Sequence, residues 1–383
     1  MSRLEGQREK YGLLVSSCGE GQRLIFMKRI GHTKDGRGNT VTLVEAMADY
    51  GNVQKSYNKA RKGKRYRKDV IRFTKKKEEN LKRVREDILT QAYEPGAYHY
   101  FKVYEPKERQ IMALPFYDRV VQHAINNVLE PIFNKRFIFH SYACRKKKGM
   151  HKASETLQGW LYGWQKYHGD EPLYAIKADI HHYFQSIDHS ILKAEIRRVI
   201  KDKEALTLID RIIDHNGNMP DGVGIPVGNL TSQLFANIYL DKLDRFIKHT
   251  LDVKHYVRYM DDFILLSPDK GQLREWLAAI ETFLRDELRL ELNPKTTILA
   301  AKNGIDFVGY KHRGTHKKVR RDSVKRMKRK IKWYIKGKIT KEKLQKSVKS
   351  WTGHASHADS YNLQKKIITL AARADEEAAA KAA

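Results

Sequence analysis

Three carboxylates are the residues of this chain best suited to chemistry. Asp261 and Asp262 are adjacent in Tyr259-Met260-Asp261-Asp262, and Asp179 ends the apolar run Leu-Tyr-Ala-Ile-Lys-Ala-Asp at residues 173–179. Side-by-side carboxylates repel, which raises the pKa of at least one, and a nearby cation removes that penalty. Oxygen ligands suit a hard divalent ion such as magnesium. Three carboxylates from two segments would bind two such ions roughly 3.5–4 Å apart, the spacing of two-metal phosphoryl transfer. One ion would lower the pKa of an attacking 3′-hydroxyl; the other would hold a triphosphate and the leaving pyrophosphate. His181 and His182 lie close in sequence but are poorer ligands for a hard cation. Asp-Asp alone is most often turn chemistry. Here apolar runs flank it on both sides, and a turn without a task would not need burial on both sides.

The positioning elements follow from the flanking patterns. Residues 255–258 and 263–266 read as strands of a hairpin with the carboxylates at its tip. Residues 173–179 read as a strand with Asp179 at its C-terminal end, beside which the hairpin could lie. Residues 222–233, rich in glycine, open a helix over 234–251 that Thr231 or Ser232 can cap. Residues 97–104 and 109–114 alternate as a second hairpin. Lys107 and Arg109 lie at or just after its turn, as cations able to hold a triphosphate or as ordinary solvated charges. Further helices are expected over 75–89, 118–133, 151–164 and 272–290, and residues 305–310 form an apolar run. From Ser323 a helix puts Val324, Met327, Ile331 and Tyr334 inside and Lys325, Arg326, Lys328 and Arg329 outside. A second helix ends at Gly353. The alanine-rich tail from Ala371 is set aside from functional reasoning.

Composition points to a polyanionic partner. Lys plus Arg number 75 against 45 Asp plus Glu in 383 residues, a net charge of +30. Residues 53–85 hold 15 basic and 3 acidic residues, and residues 311–350 hold 18 and 2, so almost the whole excess flanks a nearly neutral middle. That layout suits a catalytic centre between two arms that grip a phosphate backbone. Tyr57, Tyr66 and Phe73 alternate with the cations of the first window, where they serve either nucleic-acid stacking or the core. There is no run of about 18 apolar residues and no signal peptide, which argues against a membrane protein. Cys18 and Cys144 make neither a disulfide framework nor a zinc cluster, so a cytoplasmic setting is expected.

The ordered set of Arg109, Asp179 with Tyr183-Phe184, Gly228 to Gln233, Tyr259-Met260-Asp261-Asp262, Lys295 and Phe307-Val308-Gly309-Tyr310 resembles the characteristic blocks of reverse transcriptases over roughly residues 53–365. The resemblance implies an α+β right-hand polymerase fold. Residues 51–170 would form fingers with part of the palm, 171–310 an antiparallel-sheet palm with helices, and 311–370 a helical thumb. Residues 1–50 would be an extension of unknown role and 371–383 a tail. Val227-Gly228 and Ser232-Gln233 stand where most reverse transcriptases look like Gln-Gly and Ser-Pro. With Ser141-Tyr142-Ala143-Cys144-Arg145 and Ser350-Trp351-Thr352-Gly353-His354-Ala355, they resemble the enzymes of diversity-generating retroelements. Those enzymes copy a template RNA into DNA and misincorporate opposite adenine.

Carried over, Asp179, Asp261 and Asp262 become metal ligands and catalytic residues with two Mg²⁺ ions, Mn²⁺ being a substitute. Lys107, Arg109 and Arg119 would hold the triphosphate of a dNTP. Phe184 would sit under the sugar, Val227, Gly228 and Gln233 near the nascent base pair, and Lys295 would donate a proton to pyrophosphate. Nucleic-acid contacts would come from Arg145, Lys146, Tyr259, Gly309, Tyr310, Lys325, Arg326, Lys328 and Arg329. The partners implied are a structured template RNA, the RNA/cDNA duplex and a small basic accessory variability protein, a homopentamer, with no membrane. The setting implied is the cytoplasm of a bacterial, archaeal or phage-encoded system. On this resemblance no RNase H, integrase or sizeable endonuclease domain is expected. The competing readings are a retron-type or antiviral-defence reverse transcriptase with the same chemistry, and an RNA-binding scaffold with an inactive palm.

Overall fold

The computed structural model describes residues 29–35, 38–104 and 108–382. A β-ribbon of β1 (His32–Lys34) and β2 (Thr40–Thr42) leads into helices α1 (Leu43–Ala48), α2 (Tyr50–Arg61), α3 (Lys68–Lys75) and α4 (Lys77–Leu89). The hairpin β3 (His99–Val103) and β4 (Arg109–Ala113) precedes the long helices α5 (Phe116–Asn134) and α6 (Met150–His168). Next come β5 (Tyr174–Asp179), a short 3-10 turn (Tyr183–Gln185), α7 (His189–Arg197), α8 (Lys203–Asp214) and α9 (Leu230–Arg245). The hairpin β6 (His255–Tyr259) and β7 (Asp262–Ser267) is followed by α10 (Lys270–Leu288) and β8 (Thr297–Ala300). Three short strands, β9 (Ile305–Phe307), β10 (Tyr310–His312) and β11 (Lys317–Val319), lead to α11 (Arg321–Ile335), α12 (Lys341–Ala355) and α13 (Tyr361–Ala382).

The chain divides into two compact units. One comprises the described residues up to Phe139 with Ile180–Asp252 and Ala278–Pro294. Its N-terminal part is built on helices. Thr42 and Glu45 form a capping box that starts α1 by satisfying otherwise orphaned backbone N–H groups. Leu43, Met47, Val53, Leu81, Val84, Val121 and Ile125 of α1, α2, α4 and α5 are fully buried or nearly so, and burying each such side chain contributes roughly 1.5–3 kcal/mol. Tyr57 stacks on Phe73 at 5.6 Å and both meet Phe116 edge-on, so these two aromatics belong to the core. Tyr66 remains 77% exposed.

The other unit comprises His140–Asp179, Val253–Leu277 and the chain from Lys295. Its sheet runs β6-β7-β5-β8 with every neighbouring pair antiparallel. Side chains alternate across a strand, so Ala175, Val257, Ile264 and Leu266 share one face, in one core with Leu157 and Leu161 of α6. That face continues to the strand ends, where its last residues are Asp179 and Asp262. The C-terminal helices form their own core from Met327, Ile331, Leu344, Trp351, Ile367 and Ala374.

Four local expectations change. Residues 305–310 are two strands rather than one run, because the chain turns at Val308 (φ +40) and Gly309 (φ +90). Gly353 lies inside α12, which continues to Ala355. The alanine-rich stretch continues α13, and Ala374 is buried in the helical core. Helix α9 starts at Leu230 with Asn229 at its N-cap, so neither Thr231 nor Ser232 caps it. Among the described residues no helix is long and apolar enough to cross a membrane.

Candidate active site

Strand register brings two of the three carboxylates together. Asp179, the last residue of β5, is the direct antiparallel partner of Asp262, the first residue of β7. Cross-strand partners on one face have Cβ atoms about 4.5–5.5 Å apart. Asp261 precedes Asp262 in the two-residue turn after β6, whose last residue, Tyr259, also pairs with Asp262. Ordinary sheet pairing therefore brings together two segments far apart in the sequence.

The electrostatics of Asp262 follow from that place. Burial raises its pKa to about 7, and the neighbouring Asp179 and Asp261 charges add to the rise. Lys177, two residues before Asp179 on the same strand, and Arg320 act in the opposite direction without cancelling it. Asp262 Oδ1 is buried with no hydrogen-bond partner. A buried carboxylate oxygen left unpaired beside two like charges is unfavourable alone and becomes favourable with a cation. The donors are all hard oxygens, so the set fits magnesium or manganese. Among the described residues no group of three or more His, Cys, Asp or Glu is closed around a metal position. Magnesium commonly uses one or two carboxylates and fills the rest of its shell with water and phosphate oxygens.

The other residues singled out in the sequence fall in several places. Lys107 lies outside the described residues. Arg109 opens β4 opposite Val103. Arg119, in α5, is half-buried, and its Nε donates to the Leu114 carbonyl at 2.9 Å. Burial, with Arg67 nearby, lowers its pKa, and the two guanidinium groups line a cavity with Asp69, His99 and Phe101. Phe184 sits in the 3-10 turn, its carbonyl accepting from the Ile225 N–H. The Val227 carbonyl accepts from the Met112 N–H at 3.2 Å, so this loop runs along the edge of β4. Gly228 has φ +124, and a Cβ there would lie 3.0 Å from the Met112 carbonyl oxygen. The glycine is thus required by close backbone approach and by φ. Gln233 is exposed in the first turn of α9, and Lys295 is exposed just before β8.

Of the expected nucleic-acid contacts, Lys146, Lys325, Arg326, Lys328 and Arg329 are exposed. Arg145 donates to the Ser141 carbonyl at 2.8 Å. Tyr259 is partly buried, which raises its pKa. Tyr310 is fully buried, and its hydroxyl donates to the His354 carbonyl at 2.8 Å. Its side chain ties β10 to α12, and the neighbouring Gly309 lies against His354. Sequence reasoning missed Lys177, Arg320 and, above all, Arg258. Arg258 is fully buried, and its Nη1 donates to the Met260 carbonyl at 2.8 Å. No local signal marked Arg258, since a lone charge in a short strand reads as solvent-exposed.

Comparison with known proteins adds an independent result. A family model described as reverse transcriptase (RNA-dependent DNA polymerase) matches residues 102–312, more than half of the chain. Protein YkfC of Escherichia coli is 27% identical over 274 residues, covering 60% of this chain and 70% of YkfC. The group II intron-encoded protein LtrA of Lactococcus lactis subsp. cremoris is 24% identical over 305 residues, covering 61% of this chain and 49% of LtrA. Telomerase from Candida albicans, solved with a fragment of telomeric RNA, aligns at a TM-score of 0.44 and 12% identity, covering 65% of this chain and 52% of that one.

Proposed function

This chain belongs to the reverse transcriptase family of RNA-directed DNA polymerases, and on that premise we propose that it is the error-prone polymerase of a diversity-generating retroelement, copying a template RNA into adenine-mutagenised cDNA. The observation that carries the catalytic part is the Asp179–Asp262 cross-strand pair with its unpartnered buried oxygen. Asp179, Asp261 and Asp262 would hold two magnesium ions, which when bound supply charge neutralisation at the triphosphate and acidify the primer 3′-hydroxyl. The protein's own part is to hold the three carboxylates ready through sheet register and to draw in the template with its basic surfaces. Lys107, Arg109 and Arg119 hold the triphosphate, Phe184 bears on the sugar, and Lys295 supplies a proton to pyrophosphate. Residues 51–170, 171–310 and 311–370 are the fingers, palm and thumb. The partners are a structured RNA, dNTPs and a basic accessory protein.

The retroelement assignment rests on Val227 and Gln233. A glutamine side chain can hydrogen-bond to the nascent pair, whereas valine can only pack, so geometric checking loosens. In primer extension, Asp262→Ala should abolish magnesium-dependent synthesis and leave RNA binding largely intact; retained synthesis would refute the metal assignment. Val227→Gln should change misincorporation opposite adenine more than it changes overall extension. Sequencing cDNA made on an adenine-containing template reads this directly, and equal error spectra would refute the retroelement reading in favour of a retron-type or defence enzyme.

A further inference from the structure

We propose that Arg258 is the positioning residue of the carboxylate turn: its buried guanidinium holds the central peptide of that turn and so sets where Asp261 and Asp262 stand. This rests on the metal-dependent polymerase reading and adds to it a residue outside the carboxylate set.

The turn itself needs holding. Tyr259 and Asp262 are paired, so Met260 and Asp261 are its two central residues. Only the first of them lies at positive φ, Met260 at +60°. That is the pattern of a type II′ turn, which favours glycine at its first central position. Methionine there carries a steric cost that glycine would not. The central peptide joins Met260 to Asp261, and its carbonyl belongs to Met260. The orientation of that carbonyl distinguishes type II′ from type I′, and a rotated peptide would move the Asp261 side chain with it.

Arg258 bonds to that carbonyl. Nη1 donates to Met260 O at 2.8 Å and Nη2 donates to Ser141 Oγ at 3.2 Å. Ser141 is itself fully buried. The backbone around it is docked on the same residue: Tyr142 N–H donates to Arg258 O, and Arg258 N–H donates to His140 O, both at 3.0 Å. A guanidinium taken wholly out of water is unfavourable unless its donors are well used. An apolar side chain is the ordinary occupant of so buried a strand position, as at Tyr256 on the same face and Val257 on the other. A planar, always-charged fork is suited to bridging a carbonyl and a hydroxyl in fixed geometry, which lysine cannot reproduce. Residues that orient metal ligands from behind typically change metal affinity or activity by about 10- to 100-fold when replaced.

The test uses the full chain with Arg258→Met, Arg258→Lys and Ser141→Ala, beside the parent and Asp262→Ala. Three quantities are read: the magnesium concentration for half-maximal extension, Mn²⁺ binding followed by electron paramagnetic resonance without nucleotide, and primer–template binding in EDTA. Arg258→Met should need about tenfold or more magnesium and bind Mn²⁺ correspondingly weakly, with primer–template binding unchanged. Arg258→Lys should fall short of full rescue, and Ser141→Ala should shift both metal readouts in the same direction by a smaller factor. Ser141→Ala keeps the arginine, so it decides the matter if Arg258→Met does not fold. Unchanged magnesium dependence and Mn²⁺ affinity in the folded variants overturn the proposal. If Asp262→Ala itself still extends and still binds Mn²⁺, the metal reading fails instead.

Discussion

Asp262 is held in a place that disfavours its own charge when no cation is bound. Its Oδ1 is buried without a partner, and Asp179 and Asp261 stand close enough to raise its pKa. Functional sites commonly carry such a cost. Replacing Asp262 by asparagine removes one of the repelling charges and keeps the shape. In EDTA at pH 8, Asp262→Asn should therefore be more stable than the parent, by roughly 1–3 kcal/mol, with extension lost. Chemical denaturation of the two proteins checks it, and an equal or lower midpoint for Asp262→Asn would contradict it. The Asp-Asp pair was legible because two apolar runs bracket it. Arg258 was not, because a lone charge within a strand reads as exposed until the partner strands are known.

At the scale of elements, a buried polar chain pins β10 to α6. His312 is fully buried; Nε2 lies 2.9 Å from Ser154 Oγ and Nδ1 lies 3.3 Å from the Ile305 carbonyl. Lys317 donates to the same Ser154 hydroxyl at 3.1 Å. Burial lowers the His312 pKa to about 4, and Lys317 adds to the fall. Below pH 6.5 the unfolded chain takes up a proton that the folded chain refuses. The stability from this histidine is therefore fully present above about pH 6.5 and is lost as pH falls toward 4, by up to about 3 kcal/mol. Unfolding midpoints of the parent and His312→Gln across pH 4–7 should differ in slope over that window, and parallel curves would contradict it. The two hairpins and the amphipathic helices were legible as elements because periods of 2 and 3.6 residues are local. The break at Val308–Gly309 was hidden, since Ile305, Phe307, Val308 and Tyr310 read as one apolar run and only the positive φ of Val308 and Gly309 separates the two strands.

At the scale of the whole molecule, charge is the dominant property. The excess of +30 is concentrated in two windows, and in α11 the cations occupy the face opposite Met327 and Ile331. Exposed lysines and arginines of this kind contribute to nucleic-acid affinity through counterion release. Changing Lys325, Arg326, Lys328 and Arg329 together to alanine should weaken RNA binding without sequence preference. The slope of log affinity against log salt should become shallower, by about 0.7 for each single-strand phosphate that the variant no longer neutralises. Binding titrations at several salt concentrations measure it, and an unchanged slope would remove this helix from the interface. The buried faces should leave folding intact, which circular dichroism checks.

The amino-acid sequence alone supplied the residues of the candidate site and the chemistry proposed for it. Three carboxylates, their apolar flanks, the basic windows and the glycine at 228 follow from residue types and short-range spacing, since ligand hardness, charge and turn preference are local properties. Tertiary structure decided which of these residues meet. It paired Asp179 with Asp262 through β5 and β7, buried one oxygen of that pair, and set Gly228 against the backbone of β4. It also turned Arg258 from a strand charge into the group bonded to the Met260 carbonyl. Pairing register and desolvation depend on segments far apart in the chain, so no local pattern specifies them.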